Sequence, residues 1–358
     1  MNYDNILITG GAGFVGSNLA TAFRRDFPQI RVTAIDNLRR RGSEAALARL
    51  AKHSIEFKHG DIRNPEDIKE AGPFDLIIEC SAEASVHAGY QSSPNYLINT
   101  NLLGTVHCLE AARHYCADVM FLSTSRVYPI TQLRNLPLEI KGNRFTIPKN
   151  KFGQGWSATG VSEQFSLDGS KSLYGATKLS SELLLTEYNA MYGLRSIVNR
   201  CGVITGPWQL GMVDQGFVSL WAARHLFKGD LSYIGFGGKG CQVRDILHVS
   251  DLYTLMRYQL ENLSDLSGQT FNVGGGEALS VSLAELTNLC QQRAGHTIKL
   301  SQQTESRDAD VPWYITDTNK VNDLTGWQPE HNLDSILDDI FDWLTDNRRL
   351  LEPYFSPK

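Results

Sequence analysis

Along roughly the first 200 residues, short apolar runs alternate with longer stretches whose apolar positions recur at helical spacing. This is the pattern of βαβ units feeding a parallel sheet covered by helices on both faces. The runs predict strands at Asn5–Thr9, Arg31–Asp36, Glu56–His59, Leu76–Cys80, Val119–Ser123 and Ser196–Arg200, with helices beginning near Gly13, Asn64, Pro94 and Tyr174. Polar or glycine-rich residues close the first five strands, and strand ends are where an open α/β sheet binds ligands. Beyond Gly202 the alternation turns irregular, and helical periodicity returns at Ser282–Ala294 and Asp334–Thr345. The stretch DILHVSDLYTLMRYQL reads as a strand and helix packed back on the first part. The expected division is therefore 1–201 with 243–262 in one domain, and 202–242 with 263–358 in a smaller α/β lobe. Residues Ile130–Ser172 are polar and glycine-punctuated, and so long a connection is expected to be functional or mobile.

Composition narrows this picture. At ~100–200 residues per domain, 358 residues make one large or two ordinary domains. Hydrophobic residues are 42% and charged residues 20%, which excludes wholesale disorder and fibrous repeats. Lys+Arg number 34 against Asp+Glu 39, a formal charge of −5, so nothing draws the chain globally to nucleic acid or an anionic membrane. Any anionic ligand has to be held locally. The six cysteines form no C-x-x-C pair, which argues against a disulfide framework or zinc site and for a reduced, cytoplasmic compartment. His87, His107, His225 and His248 are not grouped at metal-ligand spacing, and no metal is expected. MNYDNILITGGAGF reads as a first strand rather than a secretion signal, and no apolar run approaches the ~18–20 residues that span a bilayer.

Two constellations carry chemistry. Thr9-Gly10-Gly11-Ala12-Gly13-Phe14-Val15-Gly16 closes the first strand and opens a helix. Glycines at 10, 13 and 16 permit a tight turn, close approach to a pyrophosphate and close helix–strand packing. Asp36 ends the next strand 20 residues after Gly16, where a carboxylate accepts from the adenosine ribose and repels a 2′-phosphate. This points to a Rossmann-type doubly wound sheet that binds NAD rather than NADP, with Arg39, Arg40 and Arg41 as the complicating basic run. Asp61 either accepts from the adenine amino group or caps its own loop. Farther on, Tyr174 and Lys178 stand four apart on one helix face. A nearby ammonium favours the phenolate and makes the tyrosine a usable base. Ser123-Thr124-Ser125 at the end of the fifth strand completes the set.

With these residues together, the chain resembles the extended short-chain dehydrogenase/reductase family, which includes nucleotide-sugar epimerases and dehydratases. The likeness runs from Ile6 to about Trp343. It also rests on Asp61-Ile62, Asn101-Leu102-Leu103-Gly104-Thr105, Arg126-Val127-Tyr128, Arg200-Cys201, Gly206-Pro207, Gln242-Val243-Arg244-Asp245, His248-Val249, Asp251, Ser306-Arg307 and Asp310. The resemblance implies Thr124, Tyr174 and Lys178 as catalytic residues. It implies NAD contacts at Gly10, Gly13, Phe14, Val15, Gly16, Asp36, Asn37, Asp61, Ile62, Ser81, Ala82, Asn101, Ser123, Tyr174 and Lys178. A nucleotide-diphosphate sugar would then meet Ser125, Arg126, Gln209, Arg244 and Arg307, the last two on its pyrophosphate; a surface ion pair with Asp245 or Asp310 is the competing reading for these two. A homodimer through helices 101–115 and 174–192 is also implied.

The residues after Thr124 separate the reactions. Dehydratases of the family carry an Asp-Glu pair where Ser125 and Arg126 stand, and its decarboxylases carry glutamate at the place of Arg126. Oxidation and re-reduction of one carbon, or a one-way redox step, remains. Arg126, the 50-position insert from Thr124 to Tyr174, Val213–Val218 and Gly238–Asp245 resemble the members that epimerise C2 of CDP-deoxyhexoses, in lipopolysaccharide or O-antigen sugar biosynthesis. Phe152 and Trp156 in the insert are candidates to close over a sugar. The alternatives are a UDP- or GDP-sugar 4-epimerase, a one-way NAD(P)-dependent reductase and, from another class, a dinucleotide-binding regulator on the same fold.

Overall fold

The computed structural model describes residues 1–213 and 215–355; Asp214, within the Val213–Val218 stretch singled out above, lies outside the described residues. The apolar runs fold as β1 (Asn5–Thr9), β2 (Arg31–Asp36), β3 (Glu56–His59), β4 (Leu76–Glu79), β5 (Asp118–Thr124) and β6 (Ser196–Cys201). Between them stand α1 (Phe14–Asp26), α2 (Gly104–Tyr115) and α3 (Ser172–Tyr192). The sheet has seven strands in the order Thr270–Val273, β6, β5, β4, β1, β2, β3, and every pairing from β6 to β3 is parallel. This is the doubly wound α/β fold expected from the sequence. Its strands read as unbroken apolar runs because both faces are covered, so Leu7, Ile8, Ile77, Ile78, Met120 and Phe121 are all fully buried. On α1, Leu19, Ala20 and Phe23 form the buried stripe that seats the helix on the sheet.

The chain divides into two compact units. The first comprises Met1–Val127, Ser172–Cys201 and Leu252–Phe271; the second comprises Tyr128–Lys171, Gly202–Asp251 and Asn272 onward. In the second, strands Val203–Thr205, Val243–His248, Ser280–Ser282 and Trp313–Tyr314 share a small sheet. Helices Phe217–Leu226, Leu283–Ala294 and Leu333–Asp346 contribute Trp221, Leu286, Ile336, Ile340 and Trp343 to its core.

Three segments differ from the sequence-based division, the first being residues 263–271, which were expected in the second lobe and belong to the first unit. Val243–His248 pairs with the strands of the second unit rather than returning to the seven-stranded sheet, while the helix that follows it does pass into the first unit at Leu252. Residues 128–171 are not one irregular connection. They form a hairpin of Glu139–Lys141 with Arg144–Thr146 and another of Trp156–Ser157 with Gly160–Val161, both in the second unit. Val161 donates to Ile315 at 2.8 Å and accepts from Asp317 at 3.0 Å. Gly160 (φ +153°) lies so close that a Cβ would come within 2.5 Å of the Asp317 nitrogen, so the hairpin corner requires glycine. Among the described residues, no helix is long and apolar enough to cross a membrane.

Candidate active site

The glycine loop lies between β1 and α1 in the first unit. Gly10 sits at φ +62°, and a Cβ there would come within 3.0 Å of the Cys80 carbonyl and the Ser81 Cα. A Cβ on Gly16 would collide with the Gly10 carbonyl oxygen, and one on Gly13 would lie 3.0 Å from the same atom. All three positions therefore need glycine for steric reasons. Gly13 opens α1 without a side-chain cap, and the first turn holds no acidic residue. The first-turn N–H groups, including those of Phe14, Val15 and Gly16, thus keep their free donors and the positive end of the helix dipole for an anion such as a pyrophosphate.

At the end of β2, the Asp36 carboxylate accepts from the Ala12 N–H at 3.2 Å and the Leu38 N–H at 2.8 Å. Burial pushes its pKa up, and the N–H groups of Leu38, Ala12 and Gly13 hold it back, so the carboxylate is fixed in place with lone pairs to spare for a ribose diol. Asp61 is engaged differently. Arg63 grips its carboxylate at 2.6 Å and Asn37 Nδ2 donates to it at 2.8 Å. Burial would raise its pKa, but Arg63 and Asn37 together bring it down to about 2. Of the two roles expected for Asp61, these contacts describe the loop anchor. Arg39 stacks 3.9 Å from the Tyr96 ring centre, so it is engaged within the loop region rather than simply solvated.

Ile62 is buried under Gly104, and the Ser81 N–H donates to Thr9 Oγ1 at 3.3 Å, which fixes the course of the Ser81–Ala82 backbone. Asn101 lies in a π-helical turn, Asn99–Leu103, immediately before α2. Its side chain accepts from the Glu83 N–H at 2.8 Å and donates to the Glu83 carbonyl at 3.0 Å. Its amide is therefore used to hold the loop that follows β4.

Thr124, Tyr174 and Lys178 come together where β5 meets α3. Burial raises the Tyr174 pKa above the usual phenol value, and the Thr124 hydroxyl and the Arg126 charge lower it against Cys201 and Glu83. The sequence reading made Lys178 the source of that lowering. In the structure Lys178 is 2% exposed and its ammonium lies 3.9 Å from the Phe121 ring centre. Burial pulls its pKa down, and Glu79 and Glu182 pull it back up.

Three acidic and basic groups that sequence reasoning missed support this face. Ser123 Oγ donates to Glu182, and Arg200 holds the other side of that carboxylate at 2.7 Å, all three being buried. Ser123, expected as a cofactor contact, is thereby engaged. Glu182 continues the i, i+4 row Tyr174, Lys178, Glu182, so spacing alone could have flagged it. Glu79 is fully buried at the end of β4; Thr105 donates to one oxygen at 2.6 Å, and the other oxygen has no hydrogen-bond partner.

Ser125 and Arg126 follow Thr124 in a short 3₁₀ turn of the same unit. The other residues expected to meet a sugar nucleotide lie in the second unit. Gln209 is buried, its oxygen accepting from Thr205 (2.9 Å) and Ser219 (3.1 Å) and its nitrogen donating to the Ile204 carbonyl (2.9 Å). Arg244 donates to the carbonyls of Val243 and Val311, each at 2.7 Å. Arg307 pairs with Asp310 at 2.9 Å, and Arg134 braces that loop through the carbonyls of Arg307, Asp308 and Asp310.

Residues 6–274 match the NAD dependent epimerase/dehydratase family, and the chain belongs to it. NAD is accordingly its cofactor, and the glycine cradle, uncapped helix start and Asp36 fit that dinucleotide. CDP-paratose 2-epimerase of Salmonella typhi is 28% identical over 350 residues, covering 94% of this chain and 98% of that protein. dTDP-glucose 4,6-dehydratase of Streptomyces niveus is 28% identical over 359 residues, covering 98% and 96%. UDP-glucose 4-epimerase from Thermotoga maritima, solved with UDP-glucose, shares the fold with a TM-score of 0.77 at 24% identity, covering 96% of this chain and 99% of that one.

Proposed function

We propose that the protein is an NAD-dependent nucleotide-sugar epimerase that inverts C2 of a CDP-deoxyhexose of the paratose/tyvelose type. The observation that carries this reading is Thr124 acting on the buried Tyr174, with the buried Lys178 one turn along the same helix and with Ser125 and Arg126 next after Thr124 instead of the two acidic groups that elimination of water requires. The likeness to CDP-paratose 2-epimerase, which covers 94% of this chain, supports the choice of sugar and carbon.

Bound NAD would supply a reversible hydride acceptor beside the sugar carbon, and return of the hydride to the opposite face leaves the sugar oxidation state unchanged overall. Tyr174 removes the hydroxyl proton as that C–H bond breaks and gives it back when the bond re-forms. Thr124 donates a hydrogen bond to the reacting oxygen, whose charge changes most during the step. Lys178 keeps a positive charge beneath the base and would hold the nicotinamide ribose. The N–H groups from Gly10 to Gly16 would take the pyrophosphate and Asp36 the adenosine ribose. Arg126, Arg244 and Arg307 are assigned to the sugar diphosphate, which a planar guanidinium fork suits, with Ser125 and Gln209 beside them. The working form is assigned as a cytoplasmic homodimer.

The test is incubation of the purified protein with CDP-paratose, CDP-tyvelose and a panel of UDP- and GDP-hexoses, followed by NMR. Interconversion of the two CDP sugars without NADH consumption is the expected result. C4 inversion of a UDP- or GDP-sugar, or stoichiometric NADH consumption, would replace this assignment with the 4-epimerase or the reductase. Bound NAD with no conversion of any sugar would leave a dinucleotide-binding regulator.

A further inference from the structure

His248 ends the strand Val243–His248, and His331 stands 83 residues later, just before the helix Leu333–Asp346 that carries Asp339. All three belong to the second unit. The two imidazoles stack with ring centres 4.2 Å apart and planes tilted by 25°. Asp339 Oδ2 lies 3.6 Å from His248 Nε2 and 3.9 Å from His331 Nε2, and one ligand atom from each residue falls within 4.8 Å of the others.

We propose that His248, His331 and Asp339 form a binding site for one divalent zinc ion, which clasps the helix Leu333–Asp346 to the end of the strand Val243–His248. Three observations support it. His248 is 5% exposed, and its Nε2 is buried without a hydrogen-bond partner, an arrangement that costs free energy unless something is bound there. Gly206, at φ +142°, passes so near that a Cβ would lie 3.0 Å from that nitrogen, so only a glycine leaves the approach open. The far side of each ring is anchored as metal-bound histidines are. His331 Nδ1 lies 2.9 Å from Asp251, a carboxylate that is 1% exposed and also accepts from the N–H groups of Glu330 and His331, each at 3.3 Å. His248 Nδ1 lies 2.6 Å from Ser250 Oγ; with a metal on Nε2 it donates there, and the longer contact from the Ser250 N–H at 3.3 Å yields.

Two imidazole nitrogens and one carboxylate suit zinc, with water completing a tetrahedron. Bonds of ~2.0–2.2 Å place such ligands about 3.3 Å apart, so Asp339 closes by a few tenths of an ångström on each ring, and the imidazoles, with ligand atoms now within 4.8 Å of one another, turn out of their stack to converge on the ion. Asp339, with 48% of its side chain exposed, is free to make that movement.

The site is tested on the full chain, stripped with chelator and titrated with Zn²⁺ by calorimetry and with Co²⁺ by visible absorption. The wild type should bind one ion per chain, show cobalt bands of tetrahedral intensity and unfold at a higher temperature with zinc than without. His331→Ala and Asp339→Asn should each weaken binding by at least roughly tenfold and remove the thermal shift. Because Cys116 is an exposed thiol, Cys116→Ser is the control and should bind as the wild type does. Asp339→Asn changes a half-exposed side chain, so it tests the site even if His331→Ala fails to fold. No binding at micromolar free zinc, or equal stoichiometry and affinity in Asp339→Asn and the wild type, would overturn the proposal.

Discussion

Tyr174 is held by neighbours that act in opposite directions. Burial raises its pKa above the usual phenol value, and Thr124 and the charge of Arg126 offset part of that rise. Replacing the hydroxyl in Tyr174→Phe should lower turnover by roughly 10²–10⁴-fold, since a positioned acid–base group contributes about that much. Co-purified NAD measured by absorbance should be unchanged, and an unaltered rate would reject the assigned base. Arg126→Met removes a positive charge that lowers the tyrosine pKa, so the phenolate forms only at higher pH. The acid limb of the pH–rate profile should move up in pH, and a shift the other way would contradict the electrostatics. For Lys178 the sign reverses. Glu79 and Glu182 raise its pKa against burial, so Glu79→Gln lets it fall further. The ammonium is then lost at lower pH, and the alkaline limb of the profile should move down.

At the scale of elements, the glycine turn is the most demanding joint. Gly16→Ala drives a Cβ into the Gly10 carbonyl, and either the loop or α1 must shift. Overpacking of this kind costs ~1–3 kcal/mol, so both a lower Tm and loss of co-purified NAD are expected. This joint was readable in the sequence because spacing, strand and helix all point to the same turn. The bounds predicted for β1, β2 and β3 match the structure: β1 and β2 are largely apolar runs ended by a polar turn, while β3 carries only Phe57 as an apolar residue and is placed by its position between two helical stretches. The strand Thr270–Val273 was not readable, because its place beside β6 depends on contacts made across the chain. The hairpins within 128–171 escaped because their strands are only two or three residues long. At the site, Tyr174 and Lys178 were legible from their spacing, whereas Glu79 sits within an apolar strand run, and only its burial shows that it faces Lys178. Likewise His248 and His331 are far apart in sequence, and chain topology alone pairs them.

For the molecule as a whole, a charge of −5 spread over 358 residues offers no general attraction for anions, yet the proposed ligands are a dinucleotide and a sugar diphosphate. The positive groups are placed singly: the start of α1, Lys178, and the arginines of each unit. Self-association follows a different logic. On α2 and α3, which are linked by Tyr188 donating to Glu110 at 2.5 Å, Leu183 is 64% exposed, Met191 67% and Tyr192 50%. Single exposed apolar side chains are ordinary, but Leu183 and Met191, two turns apart on the same side of a helix assigned to the dimer, are what a covered face would present, whereas Tyr192 lies on the opposite side. The wild type should therefore run by light scattering at twice 39.9 kDa. Leu183→Arg buries a charge in that face if the dimer forms through it, and should yield monomers that keep their far-UV spectrum. A wild-type monomer would remove the dimer altogether, and a dimer unaffected by Leu183→Arg would move the interface off α3. Because such a contact is apolar rather than ionic, raising the salt should leave it intact, which distinguishes it from association through the scattered surface charges.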